Sequence, residues 1–130
     1  MRSLTNLVTG GAGFLGSHLI DRLMQKNERV ICIDNYISGN KNNIRKWLNH
    51  ENFREIKHDI VNPININIEI DKIWHLACPA SPRVFGEKPI ETIKANFLGT
   101  MNMLDLAKHL DAKILIASSS AIYGDPEVHP

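Results

Sequence analysis

Apolar and polar positions along this chain alternate between two periods. Short strand-like segments recur at 4–10 (LTNLVTG), 29–34 (RVICID), 52–60 (NFREIKHDI, ending at Asp59), 72–82 (KIWHLACPASP) and 113–118 (KILIAS), and 29–34 is nearly all apolar. All five read as strands, the second as one covered on both faces and the fourth as breaking into a proline-rich loop. The stretches between them have helical spacing. In 14–24, Leu15, Leu19 and Leu23 recur every fourth position with Ile20 and Met24 beside them, which predicts one apolar helix face. From Pro89 to about His109 a long helix is expected. Pro89 suits its first turn, and Ile90, Ile93, Phe97, Met101 and Leu104 supply its buried stripe. A short helix is expected around Ile44 to Leu48, after a loop at 35–43 rich in Asn and Gly. The segment 62–70 is ambiguous. Its alternating Ile64, Ile66, Ile68 and Ile70 fit a strand, and equally an irregular connection packing isoleucines under a sheet. Strands alternating with helices imply βαβ units, and so an α/β fold: a Rossmann-type, doubly wound parallel sheet of about five strands.

Composition narrows the partners. The 130 residues suffice for one domain with a real core, and 43% apolar with 22% charged residues is ordinary for a soluble protein. Fifteen basic against fourteen acidic side chains leave a net charge of +1, which gives no reason to expect nucleic acid or an anionic membrane as partner. No apolar run is long enough to span a bilayer. The N-terminal residues pass straight into a strand without a signal-like core, so a cytoplasmic location is expected. Cys32 and Cys78 have no CxxC context and are expected as reduced thiols in or near the core. The six histidines lack metal-ligand spacing, and no metal is expected.

The sharpest motif is TGGAGFLG at 9–16, which places Gly10, Gly13 and Gly16 between a strand and a helix. The first glycine allows a tight turn, the second lets a pyrophosphate approach the backbone, and the third packs helix on strand. The helix start then offers free N–H groups and a positive dipole end to phosphates. Asp34 ends the second strand, about 20 residues past the glycines, where an acid accepts hydrogen bonds from ribose hydroxyls. Its charge repels a 2′-phosphate, so NAD is expected over NADP. The bland alternative is an Asp that caps the next loop. Asp59 stands at the end of the third strand, placed either to meet an adenine edge or to cap a turn. Leu76, Ala77 and Ala80 follow the fourth strand, where small residues let a nucleotide lie close. His75, inside that strand, is expected to be a hydrogen-bonded, partly buried histidine.

Together these segments resemble the extended short-chain dehydrogenase/reductase family, and within it most nearly the UDP-glucuronate decarboxylases. VTGGAGFLGSHL, DNYISGNKNNI, HLACPASP, TIKANFLGTMNMLDLAK and YGDPEVHP match that group's segments in order, HLACPASP and YGDPEVHP being the more specific. The likeness covers the whole chain but only the N-terminal part of the family's length. It implies that residues 1–130 form an NAD-binding Rossmann domain without the C-terminal sugar-nucleotide part. The implied activity is oxidation of UDP-glucuronate at C4, loss of CO2 and re-reduction to UDP-xylose, with NAD recycled. Carried over residue by residue, cofactor positions fall on Gly10, Gly13, Phe14, Leu15, Asp34, Asn35, Ser38, Gly39, Asp59, Ile60, Leu76, Ala77 and Asn96, with Ala80 and Ser118 beside them. Ser119 takes the place of the catalytic Ser/Thr, its alternative being a strand-end cap. Pro79, Ala80 and Ser81 fall near the expected sugar. The family's dimer contacts lie partly on the long helix, which implies a homodimer.

Three departures qualify that likeness. Ala121 stands where decarboxylases carry a Glu, and a methyl group neither holds charge nor donates a proton. Glu87, in FGEKP, brings negative charge toward an anionic sugar nucleotide. The family's Tyr-x-x-x-Lys pair is absent, since Tyr36 has Asn40 and Tyr123 has Glu127 four residues on. A UDP-sugar 4-epimerase, which needs no Glu at 121, and a truncated, non-catalytic nucleotide-binding module are therefore the other readings. The chain by itself is expected to bind NAD weakly, to turn nothing over, and to expose its fifth strand as an open edge prone to pairing.

Overall fold

The computed structural model describes residues 2–79, 81 and 86–128. Five strands form one sheet: β1 (Thr5–Thr9), β2 (Arg29–Asp34), β3 (Phe53–Lys57), β4 (Lys72–His75) and β5 (Lys113–Ile116). All neighbours are parallel, in the order β3-β2-β1-β4-β5. β2 matches its predicted segment, and the other four strands are each two or more residues shorter than theirs. β3 ends at Lys57, so Asp59 lies in the following loop and not at the strand's end.

Helix α1 (Phe14–Gln25) connects β1 to β2. Its buried face is Gly16, Ser17, Ile20, Leu23 and Met24, while Leu15, expected on that face, is exposed in the first turn. Asn27 ends the helix at φ 57°, a left-handed position that Asn tolerates well. A 3-10 segment, Lys41–Trp47, takes the place of the short helix, with Ile44 buried beneath it. The isoleucine-rich connection forms no strand. Ile66 and Ile70 turn into the core, and Ile68 faces out.

After β4, helix α2 (Pro89–Lys94) runs through a π turn (Ala95–Gly99) into α3 (Thr100–Leu110). Pro89 sits in the first turn, as expected. The expected stripe is inverted, however. Ile90, Ile93, Phe97, Met101 and Leu104 are all exposed, whereas Gly99, Met103, Leu106 and Ala107 are buried. The helix is apolar on two faces, and helical spacing does not say which one meets the sheet. The inner face is chosen by fit. At Gly99 an added Cβ would lie 2.9 Å from Cγ1 of Ile60, so only glycine lets the π turn come this close.

Two cores result, one on each side of the sheet. Val8, Val30, Cys32 and Phe53 pack with Ile20, Leu23 and Met24 of α1. Leu7, Ile31, Ile33 and Ile73 pack with Met103, Leu106 and Ala107 of α3. Successive strand residues go to opposite cores, the two-residue period expected of a sheet covered on both sides. β5 stands at the sheet's edge among the described residues, with Leu115 and Ile116 exposed. None of the described helices is long and apolar enough to cross a membrane.

Candidate functional site

Strand order reverses between β1 and β4, and the crevice beyond their carboxyl ends is where open α/β sheets bind ligands. The glycine turn fills one side of that crevice. Gly10 adopts φ 69°, and an added Cβ would stand 3.0 Å from both N and Cα of Ala77. Leu76 and Ala77 form the other side, both partly buried, with their N–H groups donating to Thr9 Oγ1 at 3.2 Å. Gly13 caps α1 with extended backbone and no side-chain hydrogen bond, and the first turn contains no acid. The space over Gly13 is open, since an added Cβ would meet only the Gly10 oxygen, at 3.2 Å. Phe14 and Leu15 are exposed beside it. Gly16 faces inward, where its Cβ would be 2.7 Å from Gly11 Cα. One glycine therefore serves the turn, one an open approach and one the packing, the division a pyrophosphate-binding turn requires.

Asp34 links this turn to the loop after β2. It is 7% exposed, and its Oδ2 accepts the Ala12 N–H at 2.9 Å while its Oδ1 accepts the Tyr36 N–H at 2.8 Å. It thus caps the loop, as the bland reading had it. Each oxygen keeps a further acceptor position, which is what a ribose diol needs. Gly39 packs against this carboxylate, and an added Cβ there would stand 2.8 Å from Oδ1. Asn35 accepts the Ile37 N–H at 3.1 Å, and Ser38 is exposed in the same loop. The loop is clasped to the glycine turn by residues that sequence reasoning missed. The Asn40 N–H and the Asn43 side chain both donate to the Ala12 carbonyl, at 3.0 and 2.8 Å.

The remaining sequence-predicted residues are divided. Asp59 caps its own turn, accepting the Val61 N–H at 3.0 Å. Ile60 is a core residue on this structure, its side chain against Gly99 and its carbonyl accepting from Asn102. Asn96 lies in the π turn, where it accepts from the Cys78 thiol at 2.9 Å and donates to the Thr92 carbonyl at 3.0 Å. Cys78 is exposed, contrary to expectation, because it lies past the end of β4. Cys32 is buried beneath Gly11, and burial, then the charges of Asp34 and Glu55, push its thiol up to about 12, so it stays neutral packing. Ser118 and Ser119 are exposed after β5, and Ser119 Oγ accepts the Ala121 N–H at 3.2 Å at the start of a 3-10 turn. Ala80 lies outside the described residues.

His75 is buried and hydrogen-bonded, as expected; what sequence reasoning missed is its partners, which build a support beneath Leu76 and Ala77. His75 is held between Thr9 Oγ1 on Nδ1, at 2.8 Å, and Thr100 Oγ1 on Nε2, at 3.1 Å. Thr9 accepts the two N–H groups above, so its one hydroxyl proton goes to His75 Nδ1. That assigns the Nε2–H tautomer, with Thr100 as acceptor. Burial lowers the His75 pKa, in keeping with a neutral ring. The signal in the sequence was the Thr directly before Gly10, whose hydroxyl is used three times.

A parallel sheet in this order, with a glycine turn at the switch point and an acid ending β2, defines a Rossmann-type dinucleotide-binding fold. Comparison with known proteins specifies it further. The profile of the family described as GDP-mannose 4,6 dehydratase matches residues 7–130. The chain belongs to this family, of the extended short-chain dehydrogenase/reductase type. It is 56% identical to UDP-glucuronic acid decarboxylase 6 of Arabidopsis thaliana over 126 residues, covering 95% of this chain and 36% of that protein. A UDP-N-acetylglucosamine 4-epimerase from Methanobrevibacter ruminantium, solved with UDP-N-acetylmuramic acid, superposes with a TM-score of 0.83 at 32% identity, over 100% of this chain and 42% of the other. A dTDP-glucose 4,6-dehydratase from Bacillus anthracis, solved with NAD, gives a TM-score of 0.78 at 25% identity, over 98% and 41%. The chain thus spans about a third of the length of the curated relatives it matches.

Proposed function

We propose that residues 1–130 are the NAD-binding portion of a UDP-glucuronate decarboxylase, which converts UDP-glucuronate to UDP-xylose and CO2. The observation that carries this reading is the 56% identity to a UDP-glucuronic acid decarboxylase along 95% of the chain. The site geometry supports the cofactor half of it. When bound, NAD supplies the two-electron oxidation at the sugar and then reverses it. The chain's own residues bind and orient. The open face of Gly13 and the uncapped start of α1 receive the pyrophosphate. Asp34 takes the ribose hydroxyls and repels a 2′-phosphate. Leu76 and Ala77 form the floor, held by Thr9. Ser119, presented after β5, is the hydrogen-bonding group for the sugar's C4 oxygen. The exposed stripe from Ile90 to Leu104 provides a surface for the homodimer that the resemblance implies.

A second reading, a UDP-sugar 4-epimerase, is favoured by one observation: Ala121 takes the place of the decarboxylase Glu. One experiment separates the two. The full-length protein is incubated with NAD and either UDP-glucuronate or UDP-glucose, and products are followed by NMR. Release of CO2 with UDP-xylose is expected. Conversion of UDP-glucose to its 4-epimer, with UDP-glucuronate untouched, refutes the decarboxylase reading. For the cofactor, calorimetry on the chain is expected to show NAD bound at least about tenfold more tightly than NADP, a gap of about 1.4 kcal/mol. Tighter NADP binding refutes the role given to Asp34.

A further inference from the structure

On the α1 side of the sheet, three charged or polar side chains meet next to the ribose end of the site. Glu55 pairs with Cys32 across the β2–β3 ladder, two positions before Asp34 on β2. Its Oε1 accepts the Tyr36 hydroxyl at 2.5 Å, and its Oε2 holds the Lys41 ammonium at 2.8 Å. Tyr36 belongs to the same device. Its backbone is left-handed, at φ 63°, and its N–H donates to Asp34 Oδ1. Burial would push Glu55 up, but the hydrogen bonds from Lys41 and Tyr36 outweigh it and hold the carboxyl below its usual range. Among the described residues, Lys41 is thus a cation in the β2 loop region that is spoken for by an acid. Two strand residues separate Asp34 from the level of Glu55, about 7 Å. That rise is less than the roughly 8 Å Debye length at physiological salt, so a Lys41 charge released from Glu55 would act on the Asp34 end of the site.

We infer that Glu55 is a further specificity-determining residue for the dinucleotide: by holding Lys41 it denies a 2′-phosphate its counter-charge, completing the discrimination begun by Asp34. A cation near this position is what accommodates the 2′-phosphate in NADP-binding members of the fold class. Here the cation is present but neutralised. The inference rests on Asp34 being the ribose acceptor.

The test is calorimetric titration of the full chain with NAD and with NADP. Glu55→Gln keeps the shape and the Tyr36 hydrogen bond but removes the charge that holds Lys41. NADP affinity is expected to rise about three- to tenfold, with NAD affinity changed less than about twofold. The double variant Glu55→Gln with Lys41→Ala is expected to lose that gain. An NAD preference unmoved by Glu55→Gln overturns the inference and leaves Asp34 standing. An unsubstituted chain without NAD preference overturns both. Should Glu55→Gln not fold, the exposed Lys41→Ala variant decides. It leaves the Glu55 charge uncompensated, so the preference for NAD is expected to widen about threefold, and an unchanged ratio overturns the inference.

Discussion

Gly16 and Gly13 lie three residues apart in one turn, and their replacement by Ala separates packing from binding. At Gly16 the new methyl would lie far inside van der Waals contact with the Gly10 oxygen, 2.7 Å from Gly11 Cα and 2.9 Å from the Gly10 carbonyl carbon. These are backbone atoms that no rotamer change can move. Overpacking of this kind costs about 3 kcal/mol, at the upper end of the usual range. The helical preference of Ala over Gly returns about 1 kcal/mol. The net loss is therefore about 2 kcal/mol, or about 8 °C in Tm. At Gly13 the backbone is at φ −78° and ψ 179°, which Ala adopts freely, and the only neighbour of the methyl is an oxygen at 3.2 Å. Stability is expected to stay within about 1 kcal/mol of the parent, because the reduced freedom of the unfolded chain offsets the slight crowding. NAD binding is expected to weaken about tenfold or more, since the methyl occupies the phosphate's approach. Urea unfolding followed by the fluorescence of Trp47 and Trp74 reads the first effect, and calorimetry with NAD reads the second. A Gly16→Ala protein as stable as the parent refutes the packing argument. A Gly13→Ala protein that binds NAD undiminished refutes the placement of the phosphate.

Three other predictions follow from the buried network and the helix. Thr9→Val leaves His75 Nδ1 and the Ala77 N–H without their partner, while the Leu76 N–H keeps the Thr9 carbonyl at 3.2 Å, so unfolding free energy is expected to fall by about 2–3 kcal/mol. His75 has a folded pKa below its unfolded value of about 6.5, so the folded state binds fewer protons. Its contribution is full above pH 6.5 and is lost as pH falls from there through the folded pKa; urea midpoints measured from pH 7.5 to 5.5 are expected to decline, with a shallower slope in His75→Gln. Finally, Met103→Ala is expected to cost about 2–5 kcal/mol and Phe97→Ser less than about 0.5, and the reverse order would restore the stripe expected from spacing alone.

The sheet was legible because its strands are short apolar runs separated by helical ones, a pattern with few solutions once crossovers are right-handed. The face of the long helix was not legible. Ile90, Ile93, Phe97, Met101 and Leu104 form a better stripe than Gly99, Met103, Leu106 and Ala107, yet the second set is inside. Periodicity measures how apolar a face is. It is blind to how closely that face can approach, and here approach is decided by the missing side chain at Gly99 against Ile60. The isoleucines at 64–70 failed to resolve for a related reason, since alternation without a neighbouring strand to pair with is only a pattern.

In the site, what could be read were positions where the backbone itself restricts the residue: Gly10 at positive φ, Gly16 against the turn, an acid at the end of β2. What could not be read were partners that folding brings together, such as Thr9 with His75, 66 residues on, or Tyr36 with Glu55, 19 residues on. Asp34 shows why the two kinds of residue belong together. Sequence reasoning set ribose acceptor against loop cap as alternatives, and the geometry, a cap that leaves acceptor positions open, makes the two compatible. The carboxylate accepts from Ala12 in the glycine turn and from Tyr36 in the β2 loop, which fixes its plane and joins the proposed phosphate and ribose ends of the site into one edge. A carboxylate without those bonds would be free to rotate, and would lose conformational entropy on meeting a diol. The capping bonds have already removed that freedom on folding, so the remaining acceptor positions of Asp34 stand in place before any ligand arrives.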